Sequence, residues 1–300
     1  MDKLFSIINI PLGWILNIIA DLFNGNFAAA VFVFTLFINI AFIPLTIKSQ
    51  KSSVQQIRIK PKLDDLKKRY GDDKQKYSMA MQSLYHEVGV SMSGGCLPMI
   101  FRLIIMMSIY YLIMQPLTYL MSVDGSVIEA AKEALNLTKA GNNVELQIIS
   151  AVEGGKYASA EISKALTSVD FNFFGINLTD TPKFSWDIFN SFQIIWLMPI
   201  LAFVCQILSS LLSMAVQKKI NPEAPSMMGM MLTMPLISLF IGFALPGGVT
   251  FFWACSSIIG GLIQVAVQYF YGPHQMLAKE RSKELLKQYD FENGILKKKN

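Results

Sequence analysis

Apolar residues in this chain fall into long blocks, and polar stretches separate them. Five blocks, 27–47, 97–121, 192–214, 227–245 and 249–271, have the length and continuity of helices that cross a bilayer. The strands of a β-barrel alternate over about 10 residues and would leave no such continuous runs. The pattern therefore predicts an all-α membrane protein with five transmembrane helices. Ahead of them, residues 4–23 are apolar but interrupted: Ser6, Asn9, Gly13, Asn17 and Ala20-Asp21 recur at steps of three or four. This places small and polar groups on one helical face and predicts an interfacial amphipathic helix over 1–26, with Pro11 breaking or kinking it. The competing reading is a signal peptide, but no small-x-small cleavage site follows before Asn24.

The polar stretch 48–93 contains two helical segments, about 50–69 and 74–88, around Gly71-Asp72-Asp73. It predicts a helical hairpin with Pro61 kinking or splitting the first arm. The remaining connections are a long loop at 122–190, a short one at 215–226, the turn Pro246-Gly247-Gly248 and a tail at 272–300.

Composition sharpens this picture. Of 300 residues, 53% are apolar and 16% charged, against about 25% charged in an average soluble protein. With a mean hydropathy of +0.42, the chain is not a soluble enzyme. The charge distribution then orients it. Residues 48–93 carry ten Lys/Arg and the tail carries seven, ending in Lys297-Lys298-Lys299, and the short loop adds Lys218 and Lys219. These are alternate connections, so the positive-inside rule puts them together in the cytoplasm. The loop 122–190, with nine acids and five lysines, lies outside with the N-terminus. The C-terminus lies inside.

The chemistry on offer is sparse. Cys96, Cys205 and Cys255 lie in or beside apolar blocks, far from any zinc spacing, and His86 and His274 stand alone. No disulfide, metal or other cofactor is expected. There is no phosphate loop, no H-E-x-x-H and no G-x-S-x-G, and no carboxylate inside the five spans, which counts against ion-coupled transport. Arg102 is the one charge in any span, roughly 8 Å in from the cytoplasmic end of the second. It either faces a water-filled cavity or snorkels to the headgroups. Asn39, Gln206, Ser209 and Ser256 are polar groups at comparable positions, with Ser210, Ser257 and Gln264 nearby. The cluster Met227-Met228-Gly229-Met230-Met231 opens the fourth span and reads either as ordinary packing or as a pliable apolar surface.

The order of these parts resembles the YidC insertase family, with its Oxa and Alb relatives. Three motifs carry the resemblance. Gly94-Gly95-Cys96-Leu97-Pro98-Met99 opens the second span. Phe42-Ile43-Pro44-Leu45 closes the first. Met234-Pro235, Leu245-Pro246-Gly247-Gly248 and Phe252-Trp253-Ala254-Cys255-Ser256 mark the last pair. The resemblance covers most of 1–275 except the outer loop. It implies a bacterial plasma-membrane insertase. Such a protein moves nascent membrane-protein segments into lipid through a hydrophilic groove open to cytoplasm and bilayer, without ATP, alone or beside the Sec translocon. It also implies a groove arginine on the first span. Here that position holds Asn39, and Arg102 on the second span is the expected replacement. The expected client-binding groove is Arg102, Asn39, Gln206, Ser209 and Ser256. The basic tail is expected to meet the ribosome or anionic lipid, and DNA is not an expected partner. The alternatives are an anionic-solute or lipid transporter, which predicts inverted repeats, and a structural membrane scaffold.

Overall fold

Helix propensity and apolar continuity translate almost directly into structure. The computed structural model describes residues 2–88, 97–137, 143–182, 192–220 and 228–272, and, beyond these, positions 275, 278, 282, 285, 286 and 288–291. In chain order the elements are α1 (Asp2–Leu22), α2 (Phe27–Ala41), α3 (Ile43–Tyr70), α4 (Lys74–Val88), α5 (Leu97–Met114) and α6 (Pro116–Tyr119). Then come α7 (Gly125–Ala134), α8 (Val144–Glu153), α9 (Ala160–Leu166), and strands β1 (Asn172–Phe173) and β2 (Ile176–Asn177). A 3-10 turn, Ile194–Trp196, leads into α10 (Leu197–Ile220), followed by α11 (Met228–Gly242) and α12 (Gly247–Phe270). The described fold is helical apart from one two-residue β-hairpin.

Two stretches, Ile194–Val216 and Gly247–Phe270, are each long and apolar enough to cross a membrane. A third crossing results if α2 and the first turns of α3 form one span broken at Phe42. The apolar parts of α1, α5 and α11 are shorter. The expected second span, 97–121, ends early because Gln115 and Pro116 interrupt it: Pro116 starts the separate single turn α6. α1 and α3 run through Pro11 and Pro61 without leaving the helix, so neither proline splits its element.

The chain forms two compact units. The first comprises residues 1–41, 102–211 and 226–262. Its main core gathers Leu16 and Ala20 of α1, Phe27, Ala30, Val31 and Phe34 of α2, and Ile109, Leu112 and Ile113 of α5. Ile195, Trp196 and Met198, and Val249, Phe251, Phe252 and Cys255 of α12, complete it. The small face of α1 turns inward: Asn9, Gly13, Leu16 and Ala20 are buried, and Ile7, Ile10, Trp14 and Leu22 are exposed. Gly13 has no room for a side chain, because a Cβ there would run into the Tyr119 carbonyl.

The segment 168–180, from the second half of the long loop, is laid across one end of this core. Phe27 N–H donates to Asp170 O (3.0 Å) and Asp170 N–H to Gly25 O (2.8 Å), beside the start of α2. Gly247 N–H donates to Asp180 O (2.8 Å) and Gly248 N–H to Leu178 O (2.7 Å), at the start of α12. Rings follow the same route: Phe171 lies against Phe27 (centroids 4.9 Å) and Phe173 against Phe251 (4.8 Å). The long loop is thus a clasp in its second half and a small helical cap in its first. The cap helices α7–α9 bury Ile128, Ala131, Ile148, Ile149 and Ile162 with Leu117 and Val123. Its anchor is the buried Glu145, whose carboxylate accepts from Thr118 N–H (3.1 Å) and Thr118 Oγ1–H (2.6 Å). Burial pushes the Glu145 carboxyl above its ordinary range, and the Thr118 bonds partly offset this.

The second unit comprises residues 42–101, 212–225 and 263–300. In it α3 and α4 pack on each other through the turn Gly71–Asp73. Asp73 caps α4, accepting from Gln75 N–H (3.2 Å) and Lys76 N–H (3.1 Å), and pairs with Lys76 Nζ (3.2 Å).

Candidate functional site

Within the first unit, burial is one-sided along α2, α5 and α10. In α2 the buried residues end at Thr35, and none of 36–41 is buried. In α5 burial starts at Ser108, and none of the described side chains before it is buried. In α10 it stops at Cys205 among the described side chains. In α11 Gly242, near the C-terminus, is buried against Pro199. In α12 the run Gly247–Phe252 is buried throughout, and burial continues at intervals to Ala254, Cys255, Ile259, Gly260, Gly261 and Val267. The well-packed ends are therefore the start of α2, the end of α5, the start of α10, the end of α11 and the start of α12. They alternate as they must when successive helices run in opposite directions. All five meet at the clasp, and away from it the helices of this unit are only partly covered.

The predicted polar residues with described side chains lie at or beyond this packed part. Asn39 is half-buried, and its Nδ2 donates to Thr35 O (2.8 Å) one turn back, while Thr35 Oγ1 donates to Val31 O (2.6 Å). Such bonds settle the polar groups within their own helix when no neighbouring helix offers a partner. Gln206 is half-buried on α10, and its Oε1 accepts from Ser238 Oγ of α11 (2.7 Å). The same hydroxyl lies 2.8 Å from Pro235 O, and with one proton it can serve only one of them at a time. Ser209 is packed against Gly261 of α12, where any Cβ would collide with the serine. Ser256 is half-buried on the same helix, and its neighbour Ser257 bonds back to Trp253 O (2.7 Å).

The structure thus joins Gln206 to α11 and Ser209 to α12. Among the described residues no hydrogen bond links Asn39 to Gln206, Ser209 or Ser256. Arg102 lies on α5, but its side chain is outside the described residues, as are Gly95, Cys96 and most of the Met227–Met231 cluster. Of the family-type motif residues, Leu97 and Pro98 open α5. Pro44 lies in the first turn of α3, Trp253 in α12, and Pro246 and Gly248 form the turn held by the clasp. A Cβ at Gly248 would stand 3.2 Å from Ile113 Cδ1 and 3.3 Å from Leu178 O, so any larger residue there is tightly confined by the clasp.

Sequence reasoning missed Ser238 and Gly261 as partners of the polar positions. Ser238 lies three residues after Pro235, where the helix lacks a backbone donor. Gly260-Gly261 faces a serine-containing helix. Both signals were present but did not identify their partners. No group of three or more His, Cys, Asp or Glu that could hold a metal occurs among the described residues. Cys205 and Cys255 are buried free thiols.

With this geometry in hand, comparison with known proteins is specific. The model of the family described as "60Kd inner membrane protein" matches residues 18–274. The chain is 38% identical over 112 residues to the membrane protein insertase YidC of Alkalihalophilus pseudofirmus, covering 35% of this chain and 44% of that one. It is 35% identical over 105 residues to the protein of the same name from Alkalilimnicola ehrlichii (35% of this chain, 18% of that one). To that of Shewanella sp. strain ANA-3 it is 37% identical over 107 residues (35% and 19%). The matched part spans less than half the length of each of these relatives.

Proposed function

The chain belongs to the 60Kd inner membrane protein family, that of the YidC, Oxa and Alb proteins, and from this premise we propose that it is a membrane protein insertase of a bacterial plasma membrane. The observation that carries the reading is the one-sided packing. The helices are clasped at one end and less covered toward the other, where the exposed side chains are mostly apolar and face lipid; the half-buried Asn39, Gln206, Ser209 and Ser256 among them line the wet recess of this reading. The clasped end is outside and the uncovered end faces the cytoplasm, as the distribution of Lys and Arg requires. The five spans are α2 with the first turns of α3, α5, α10, α11 and α12. The rest of α3, with α4, is the cytoplasmic hairpin that receives clients. α1 lies in the outer interface with its exposed isoleucines and Trp14 in lipid.

In this mechanism the recess shortens the hydrocarbon barrier faced by a client's polar segment. Arg102 supplies the positive charge, and Asn39, Gln206, Ser209 and Ser256 supply exchangeable hydrogen-bond partners. The Ser238 hydroxyl, able to turn from Gln206 to Pro235 O, frees the glutamine carbonyl for a client amide at little cost. The client's apolar helix then leaves sideways into lipid. Burial of its surface at about 25 cal/mol per Å² drives the step, so ATP is not needed. Nascent membrane proteins are the clients; the ribosome, met through the basic tail, and the Sec translocon, beside the protein in the membrane, are the expected partners.

The test is complementation. A bacterium depleted of its own insertase would receive this chain, its Arg102→Gln variant, or the Asn39→Arg/Arg102→Gln double variant. Insertion of a small Sec-independent client is the readout. Rescue by the wild type, loss with Arg102→Gln and recovery in the double variant are expected. Rescue by all three would remove the special role of Arg102. Failure of the wild type, with the protein confirmed in the membrane, would overturn the insertase reading in favour of a transporter or scaffold.

A further inference from the structure

The turn between β1 and β2 contains only Phe174 and Gly175, and both have positive φ, +49° and +82°. Two-residue turns of this kind favour Asn, Asp or Gly, because a residue with a large side chain is strained at φ > 0. Phe174 departs from that preference and is also 92% exposed, the most exposed large apolar residue among those described. Neither turn geometry nor core packing accounts for a phenylalanine here.

Its surroundings point to what does. The ring stacks edge-on against Phe173 (4.7 Å), which packs on Phe251 in the core (4.8 Å), so an aromatic chain fixes the tip to the body. Gly175 and Ile176 line a cleft of about 530 Å³ together with Ile194 and Ile195. Those two isoleucines begin the apolar stretch Ile194–Val216, one of the two long enough to cross a membrane alone. The turn therefore lies at the level where that span enters the headgroup region. Ile194 and Leu197 are the first exposed apolar residues of that stretch. Elements that lie on a bilayer bury Trp, Phe and Leu side chains at the boundary between headgroups and acyl chains.

We propose that the β1–β2 turn is a bilayer anchor, with Phe174 inserted among the lipid headgroups beside the first turn of α10. The anchor fixes the height of the clasp against the membrane. It depends on α10 crossing the bilayer and not on the insertase reading.

A nitroxide at Phe174→Cys tests this in the full chain carrying Cys96→Ser, Cys205→Ala and Cys255→Ala. The protein is reconstituted in phosphatidylcholine vesicles with one-third phosphatidylglycerol. The label should be more accessible to oxygen, which partitions into the bilayer, than to a water-soluble nickel chelate. A label at Glu153→Cys, on the exposed end of α8, should show the reverse. Equal profiles at the two positions would overturn the proposal. Should the cysteine-free chain fail to fold, Phe174→Trp in the native chain serves instead. The emission added above that of the four native tryptophans should be quenched by lipids brominated near the headgroup. Added emission that those lipids leave unchanged would overturn the proposal equally.

Discussion

At one end of the first unit, four backbone hydrogen bonds tie the segment 168–180 to the starts of α2 and α12, and two ring pairs reinforce them. Toward the other end, Asn39 bonds only to its own helix and Gln206 shares a single hydroxyl with a neighbouring carbonyl. The same helices supply both ends, so helix propensity does not explain the difference. It lies in whether a second segment arrives to complete the packing. The clasp satisfies backbone groups that the helix starts leave open and fills the space between them. Among the described residues no such segment reaches the other end in this unit; Asn39 bonds within its own helix and Gln206 to one hydroxyl of α11. Closure at one end lets the helices stay partly uncovered at the other without losing their arrangement.

A matched pair on α2 would break this comparison most severely. Phe27→Ala, at the fully buried position against Phe171, should cost about 3–5 kcal/mol. Phe37→Ala on the same helix, 54% exposed, should cost less than about 1 kcal/mol. Thermal or SDS unfolding of the purified protein would show it, and equal losses would mean that the two ends are packed alike. Next in size is Gly25→Ala. Gly25 has φ +80° and its Cβ would stand 2.6 Å from Ser168 O, so a loss of about 1–3 kcal/mol is expected from the strained backbone alone.

A smaller effect separates the cap from the clasp. The native pKa of Glu145 is raised above its unfolded value, mainly by burial, and the residue lies outside the spans. Its contribution is therefore fully present below about pH 4.5, the unfolded value, and is lost as pH rises through the higher native value. Glu145→Gln should flatten that dependence in a stability-versus-pH series, while Phe27→Ala leaves it intact. The smallest expected effect is at the turn. In detergent, Phe174→Asn should raise stability by about 0.5–1 kcal/mol, because asparagine tolerates positive φ and phenylalanine does not.

The contrast between the two ends also shows what could be read in the sequence. The apolar blocks anticipated α10 and α12 to within a few residues, and α2 up to the break at Phe42. Gly71–Asp73 marked the turn between α3 and α4, because a capping aspartate and a glycine are local signals. Pro246-Gly247-Gly248 marked the last turn for the same reason. The clasp was not legible. Residues 168–180 have neither helical nor strand periodicity, and they are held by carbonyls and amides more than 60 positions away in sequence. The positions of Asn39, Gln206, Ser209 and Ser256 could be read as polar groups in apolar helices. Their partners could not, since Ser238 and Gly261 are brought to them by helix packing alone.

The clasp also sets an order of events during synthesis. Gly25 and Phe27 are made first, Asp170 and Leu178 long afterwards, and Gly247 and Gly248 near the end. Contacts of such wide sequence separation form late, after the chain has paid the entropy of closing large loops. Until the final helix pair arrives, the carbonyls of Leu178 and Asp180 lack the amides they will accept from. A ribosome-bound chain stopped before residue 247 would thus hold every earlier helix with one end of its core unsealed. Sealing comes only with α12, so the turn at Gly247–Gly248 is where the core of the first unit is completed.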